Sequence, residues 1–148
     1  MKSVFDKAIR EELINRINSV NENSTVQWGK MNVYQMLRHC IIWDEWVLSK
    51  KPNKQIFIGR LFGRMALKKV LKDDAPLGRN SPTGAEFKVT ETSGDIAAEK
   101  EKWISLIKQY DGFNNPDFVH IFFGKMTNEQ IGYMAYKHAD HHLRQFNC

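Results

Sequence analysis

Between Thr127 and Phe146 apolar residues recur at the spacing of one helix face, and three of the chain's five histidines fall in the same stretch. Thr127 and Gln130 have the spacing of a capping box, which sets the start of this helix. Ile131, Met134 and Ala135 mark its buried side, and the stripe continues through His138, His142 and Gln145. Two histidines therefore lie on the core side. Four apart on a helix, they project side by side about 6 Å apart at Cβ, near enough to share one divalent metal if another helix supplies a third ligand.

The rest of the chain supplies that helix. A first amphipathic helix is expected from about Val4 to Val20, with Phe5, Ile9, Leu13, Ile17 and Val20 as its stripe. After a polar break containing Trp28 and Gly29, Asn32 and Gln35 form a second cap signature, and a helix runs from there to about Ser49. His39 shares its stripe with Gln35, Met36, Ile42, Trp43 and Trp46 and so faces the core. Ile58 to Lys72 reads as a basic amphipathic helix with Leu61, Phe62, Met65 and Val70 on its packing side; Gly59 and Gly63 weaken it unless a neighbouring backbone packs closely there. Pro76, Gly78, Pro82 and Gly84 make Asp73 to Gly94 a long crossover loop, with a short extended piece at Phe87 and Val89. A further helix spans about Asp95 to Gln109, and Asp111 to Met126, which holds His120, is irregular.

This pattern predicts an all-α fold: one domain over residues 1–148, a four-helix bundle wired up-down-down-up, with the basic helix in the crossover. A chain of 148 residues can bury a sufficient core without disulfides, which leaves any metal free to be functional. No segment is apolar enough to span a membrane, the N-terminus lacks a signal-peptide core, and Cys40 and Cys148 form no disulfide framework. A reducing cytoplasm is the expected location. Lys50 to Lys72 carries eight basic residues and no acidic one. Its apolar residues are explained by packing, no aromatic interleaving or DNA-reading motif is present, and two glycines suit a free-standing membrane helix poorly. The reading is a solvated or pocket-rim face, without nucleic acid or membrane as partner; as a rim it would attract an anionic substrate.

The candidate ligands are His39, His138 and His142. Three imidazoles suit zinc, nickel, iron or another late divalent ion and leave positions open for water or substrate; the alternative is a satisfied core His39 beside two solvated histidines. A ferritin-like two-metal site is disfavoured, because Asp44, Glu45 and Asp140 lie off the histidine stripes. His141, about 60° around the helix from His138, can replace a neighbour as ligand, meet substrate or pack against the first helix. His120 packs or hydrogen-bonds in its loop, with a proton shuttle as the other role. Gln145 orients bound water or hydrogen-bonds in the core. Cys40 should point away from the pocket, and no hydrolase triad, P-loop or dinucleotide motif is present.

His39 on the second helix, the long crossover and the ending His138-Ala-Asp-His141-His142-Leu-Arg144-Gln145 resemble the DinB/YfiT-like clan of bacterial helical-bundle proteins. The resemblance implies that His39, His138 and His142 hold one metal, nickel or zinc. The clan's usual ending is His-His-Arg-Gly-Gln, whereas this chain has His141-His142-Leu143-Arg144-Gln145; with Phe122-Phe123-Gly124-Lys125-Met126-Thr127 it is similar to a branch without assigned activity. Relatives in the clan include thiol-dependent S-transferases and an isomerase. The expectation is a metal-dependent enzyme, a thiol transferase or hydrolase acting on a small molecule, with a low-molecular-weight thiol as co-substrate and a homodimer admitted; the alternative is a non-catalytic metal-binding or stress-response module.

Overall fold

The computed structural model describes residues Met1–Cys148, and four of its five α-helices start where a side chain caps them. In α1 (Lys7–Ser19) the Asp6 carboxylate accepts from the Ala8 amide, and Leu13 and Ile17 face inward. α2 (Val33–Leu48) opens with the Asn32/Gln35 capping box and α5 (Asn128–Gln145) with the Thr127/Gln130 box. α4 (Ile96–Lys108) is capped by Asp95. Each cap satisfies amides that the first helical turn leaves without partners. With α3 (Phe57–Val70) these give five α-helices and one small two-stranded sheet. α1 and α2 each pack against both α4 and α5.

α5 departs from the single buried stripe expected of it. Every residue from Met134 to Leu143 is buried, so the helix is covered all round. Its polar residues are accommodated individually: Lys137 Nζ donates to the Ala75 carbonyl at 2.6 Å, and Asp140 accepts from Arg16 and Arg144 at 2.7 Å each.

The stretch before α5 is more ordered than its irregular sequence suggests. β1 (Val119–His120) and β2 (Gly124–Lys125) pair antiparallel, with His120 opposite Gly124. Gly124 has φ +80°, which a side chain would strain. The extended piece expected at Phe87 is instead a single 3-10 turn, Ala85–Phe87, which turns the Phe87 carbonyl toward α2.

α3 is turned away from expectation at three of its four packing residues, with only Val70 set against the core. Leu61, Phe62 and Met65 are exposed, while Gly59, Gly63 and Leu67 are buried. The two glycines face the Phe122 carbonyl so closely that a Cβ at either position would collide with it. Gln55 Nε2 donates to that same carbonyl at 2.9 Å, and the Ile56 amide donates to Ile121 O at 2.9 Å. The missing side chains thus let the hairpin backbone seat against α3.

Candidate metal centre

His39 lies mid-way along α2, and His138 and His142 one turn apart on α5; all three are buried. Their ligand atoms lie within 4.8 Å of one another, so they can hold a metal ion together. His39 Nε2 and His138 Nε2 are 3.1 Å apart. Nitrogens bound tetrahedrally to one zinc at about 2.0–2.1 Å stand about 3.3 Å from each other, so this pair is already near ligand spacing.

Two rings are fixed from behind. His39 Nδ1 is 2.9 Å from the Phe87 carbonyl, which only accepts, so the proton sits on Nδ1 and the Nε2 lone pair points at His138 Nε2, from which it accepts in the absence of an ion. His142 Nδ1 is 2.9 Å from Gln145 Oε1, and Gln145 Nε2 donates to the Trp28 carbonyl at 2.8 Å, which fixes the amide and hence the tautomer. Gly29 makes this possible. It has φ +83°, and a Cβ there would stand 2.6 Å from Gln145 Nε2. His138 is stacked on Trp43, with ring centroids 4.4 Å apart.

Burial keeps these imidazoles neutral, the form that binds metal. It lowers His142 to about 3, helped by the neighbouring His39. His138 falls well below the ordinary histidine value through burial and then the imidazoles of His142 and His39. His39 is also lowered by burial, against the opposing effect of the Phe87 hydrogen bond.

The trio opens on a cavity of about 420 Å³ whose lining includes all five histidines and no charged residue. Trp43, Phe122 and Phe123 give it apolar walls, and Leu77, Gly78 and Ser81 to Gly84 bring the crossover loop to its edge. The pocket-rim role for the basic segment is therefore corrected: only Ile56 and Val70 of that region line the cavity, and none of its lysines or arginines does. Carboxylates also stay away. Asp44 accepts from Trp103 Nε1 at 2.8 Å and Tyr110 Oη at 2.6 Å, and Glu45 pairs with Lys102 at 2.7 Å. Cys40 is buried elsewhere, against Met36.

His120 is a cavity residue with a defined chemical state. Its Nδ1 accepts from the Phe122 and Phe123 amides, each at 3.1 Å, so the ring proton is on Nε2. Nε2 makes no hydrogen bond within the protein and is not sealed from solvent, which leaves an N–H donor available in the cavity lined by its ring. Burial lowers His120 to about 4, which favours a neutral ring near pH 7 and weighs against a proton shuttle. His141 lines the cavity beside the trio, edge-on to His142 at 5.0 Å and tilted against Trp28 at 5.4 Å. Gln145 does not line the cavity; it orients His142, which replaces the water-orienting role considered above.

A family model described as a protein of unknown function, DUF1569, matches residues 6–148. The chain belongs to the DUF1569 family. No curated protein and no solved structure matches it. In this DUF1569 chain the sequence reading misses two supports of the centre. Trp43 is visible on the His39 stripe, but its stacking on His138 depends on how α2 meets α5. The Phe87 carbonyl has no side-chain signature at all. Replacing Gln145 with alanine frees the His142 ring while leaving all three ligands, so zinc affinity should fall by about 10- to 100-fold with the helical circular dichroism spectrum unchanged. Unaltered affinity in a calorimetric titration would show that Gln145 does not orient a ligand.

Proposed function

We propose that this protein is a DinB-like metal-dependent enzyme, a thiol transferase or hydrolase acting on a small molecule, with His39, His138 and His142 holding one zinc or nickel ion. The observation that carries the reading is the convergence of three neutral, buried imidazoles on an uncharged cavity. Pairwise packing of α1 and α2 with α4 and α5 supports an up-down-down-up four-helix bundle, with α3 in the crossover. The donor set fits the ion: three nitrogens without a fourth protein ligand leave room for an exogenous molecule. A bound divalent ion lowers the pKa of a thiol or water at such a site, giving a nucleophile at neutral pH.

The protein's own groups supply the rest. Phe87 and Gln145 keep the Nε2 lone pairs of His39 and His142 available. Trp43, Phe122 and Phe123 exclude water and favour an apolar acceptor. The Nε2–H of His120 is a neutral donor for an oxygen of the substrate that gains negative charge during reaction. Free Cys40 and Cys148 accord with a reducing cytoplasm, where low-molecular-weight thiols are abundant.

The test is a screen of such thiols against electrophilic acceptors and of activated esters, with zinc and nickel. Turnover should require metal and His39, and His120→Phe, which retains a ring but not the N–H, should lower kcat by about 100-fold with metal affinity unchanged. Stoichiometric metal binding without turnover of any pair would favour the non-catalytic binding module.

A further inference from the structure

Six of the eight exposed large hydrophobic residues of the chain, Ile56, Phe57, Ile58, Leu61, Phe62 and Met65, fall within ten residues on and beside α3. At about 100° per residue, Phe57, Leu61 and Met65 form one outward stripe, and they are 75%, 61% and 67% exposed. Arg60 and Arg64 follow one flank of that stripe, Lys69 the other, and Lys68 its C-terminal end. From Lys50 to Lys72 there is no acidic residue, and only Lys72 of the eight cations has an acidic partner, Asp73 at 3.5 Å. We propose that α3 is a docking surface for an anionic phospholipid bilayer.

An interfacial helix needs an apolar stripe that enters the acyl boundary and cations beside it that meet lipid phosphates, and α3 presents both on its outer side. No helix is long and apolar enough to cross a membrane, so the association is with its surface. The sequence arguments against a membrane rest on packing of Leu61, Phe62, Met65 and Val70 and on the weakness of a glycine-containing free helix. In the fold only Val70 packs against the core; Leu61, Phe62 and Met65 are exposed, and both glycines serve the contact with Phe122 in a helix already formed. Nucleic acid would engage the cations and leave Phe57, Leu61 and Met65 in water. A second copy docked face to face would set Arg60, Arg64, Lys68 and Lys69 against their own duplicates. An anionic bilayer satisfies charge and apolar area together. Ile56 and Val70, just before and at the end of α3, line the histidine cavity from the helix's inward face, so α3 itself stands between a docked bilayer and the cavity.

Sedimentation of the full chain with vesicles tests this, using phosphatidylcholine alone and with about 30% phosphatidylserine. The wild type should partition onto the anionic vesicles and not the neutral ones, and lose at least about tenfold in partitioning when salt rises from about 0.1 M to 0.5 M. Phe57→Ser/Leu61→Ser/Met65→Ser and, separately, Arg60→Gln/Arg64→Gln/Lys68→Gln/Lys69→Gln should each lose at least about tenfold, with circular dichroism and metal titration unchanged. Equal binding by the serine variant, or no partitioning of the wild type, would overturn the proposal. A dimer in light scattering that the serine variant dissolves, without vesicle binding, would assign the face to a second copy, and salt-sensitive nucleic-acid binding without vesicle binding would assign it there.

Discussion

Replacing His138 and His142 together with alanine should strip the protein of metal. One imidazole remains, and since losing even an outer partner of a ligand costs about 10- to 100-fold in affinity, losing two ligands should cost more than about 1,000-fold. Elemental analysis of untagged protein, with zinc and nickel titrations of wild type and variant, provides the measurement. The two rings border a cavity, so their removal enlarges an existing space and the helical spectrum should persist. Full metal occupancy in the double variant would sink the assignment of these ligands. His39→Ala should weaken binding from the other side of the site, because it removes the only ligand contributed by α2.

The metal-free protein should lose stability steeply on mild acidification. A histidine kept neutral in the fold but free to charge when unfolded makes the unfolded chain bind more protons, so stability falls as pH drops below about 6.5, by up to about 1.4 kcal/mol per unit for each such group. His142, lowered to about 3, and His120, lowered to about 4, remain neutral in the fold throughout the interval from pH 6.5 to 5. Together they remove about 3 kcal/mol over it. Asp44 acts in the opposite direction: burial raises it to about 7, against the hydrogen bonds from Tyr110 and Trp103, so the folded state takes up the proton first and gains about 2 kcal/mol. His138, lowered further by burial and by neighbouring imidazoles, offsets that gain. A net loss of about 3 kcal/mol lowers Tm by about 6–12 °C in a domain of this size. Saturating zinc should raise Tm at pH 7, because it binds only the assembled site. A Tm independent of pH from 6.5 to 5 would contradict the burial of neutral histidines.

Elements set by neighbouring residues were legible in the sequence. The caps at Asn32 and Thr127 involve residues three apart, and apolar period alone indicates that His39, His138 and His142 face inward. What brings α2 and α5 together is nonlocal, and so are the partners that orient the rings: the Phe87 carbonyl and the Trp28 carbonyl behind Gln145 carry no side-chain signal. The exposure of Leu61, Phe62 and Met65 on α3 is hidden from the sequence for a related reason. An apolar stripe beside cations has the same period whether it faces core or solvent, and what decides here is a backbone carbonyl at Phe122 that leaves room only for glycine. The all-round burial of α5 was equally hidden, since Lys137 and Asp140 look like solvent residues until the Ala75 carbonyl and Arg16 are in place.

The stacking of Trp43 on His138 also gives this protein an optical property. An indole lies 4.4 Å, centroid to centroid, from the imidazole of a proposed ligand, so its emission should respond to the electronic character of whatever that imidazole binds. Paramagnetic nickel at this range provides a route for quenching, whereas closed-shell zinc does not. The protein therefore carries an intrinsic fluorophore able to distinguish an open-shell from a closed-shell occupant without added label.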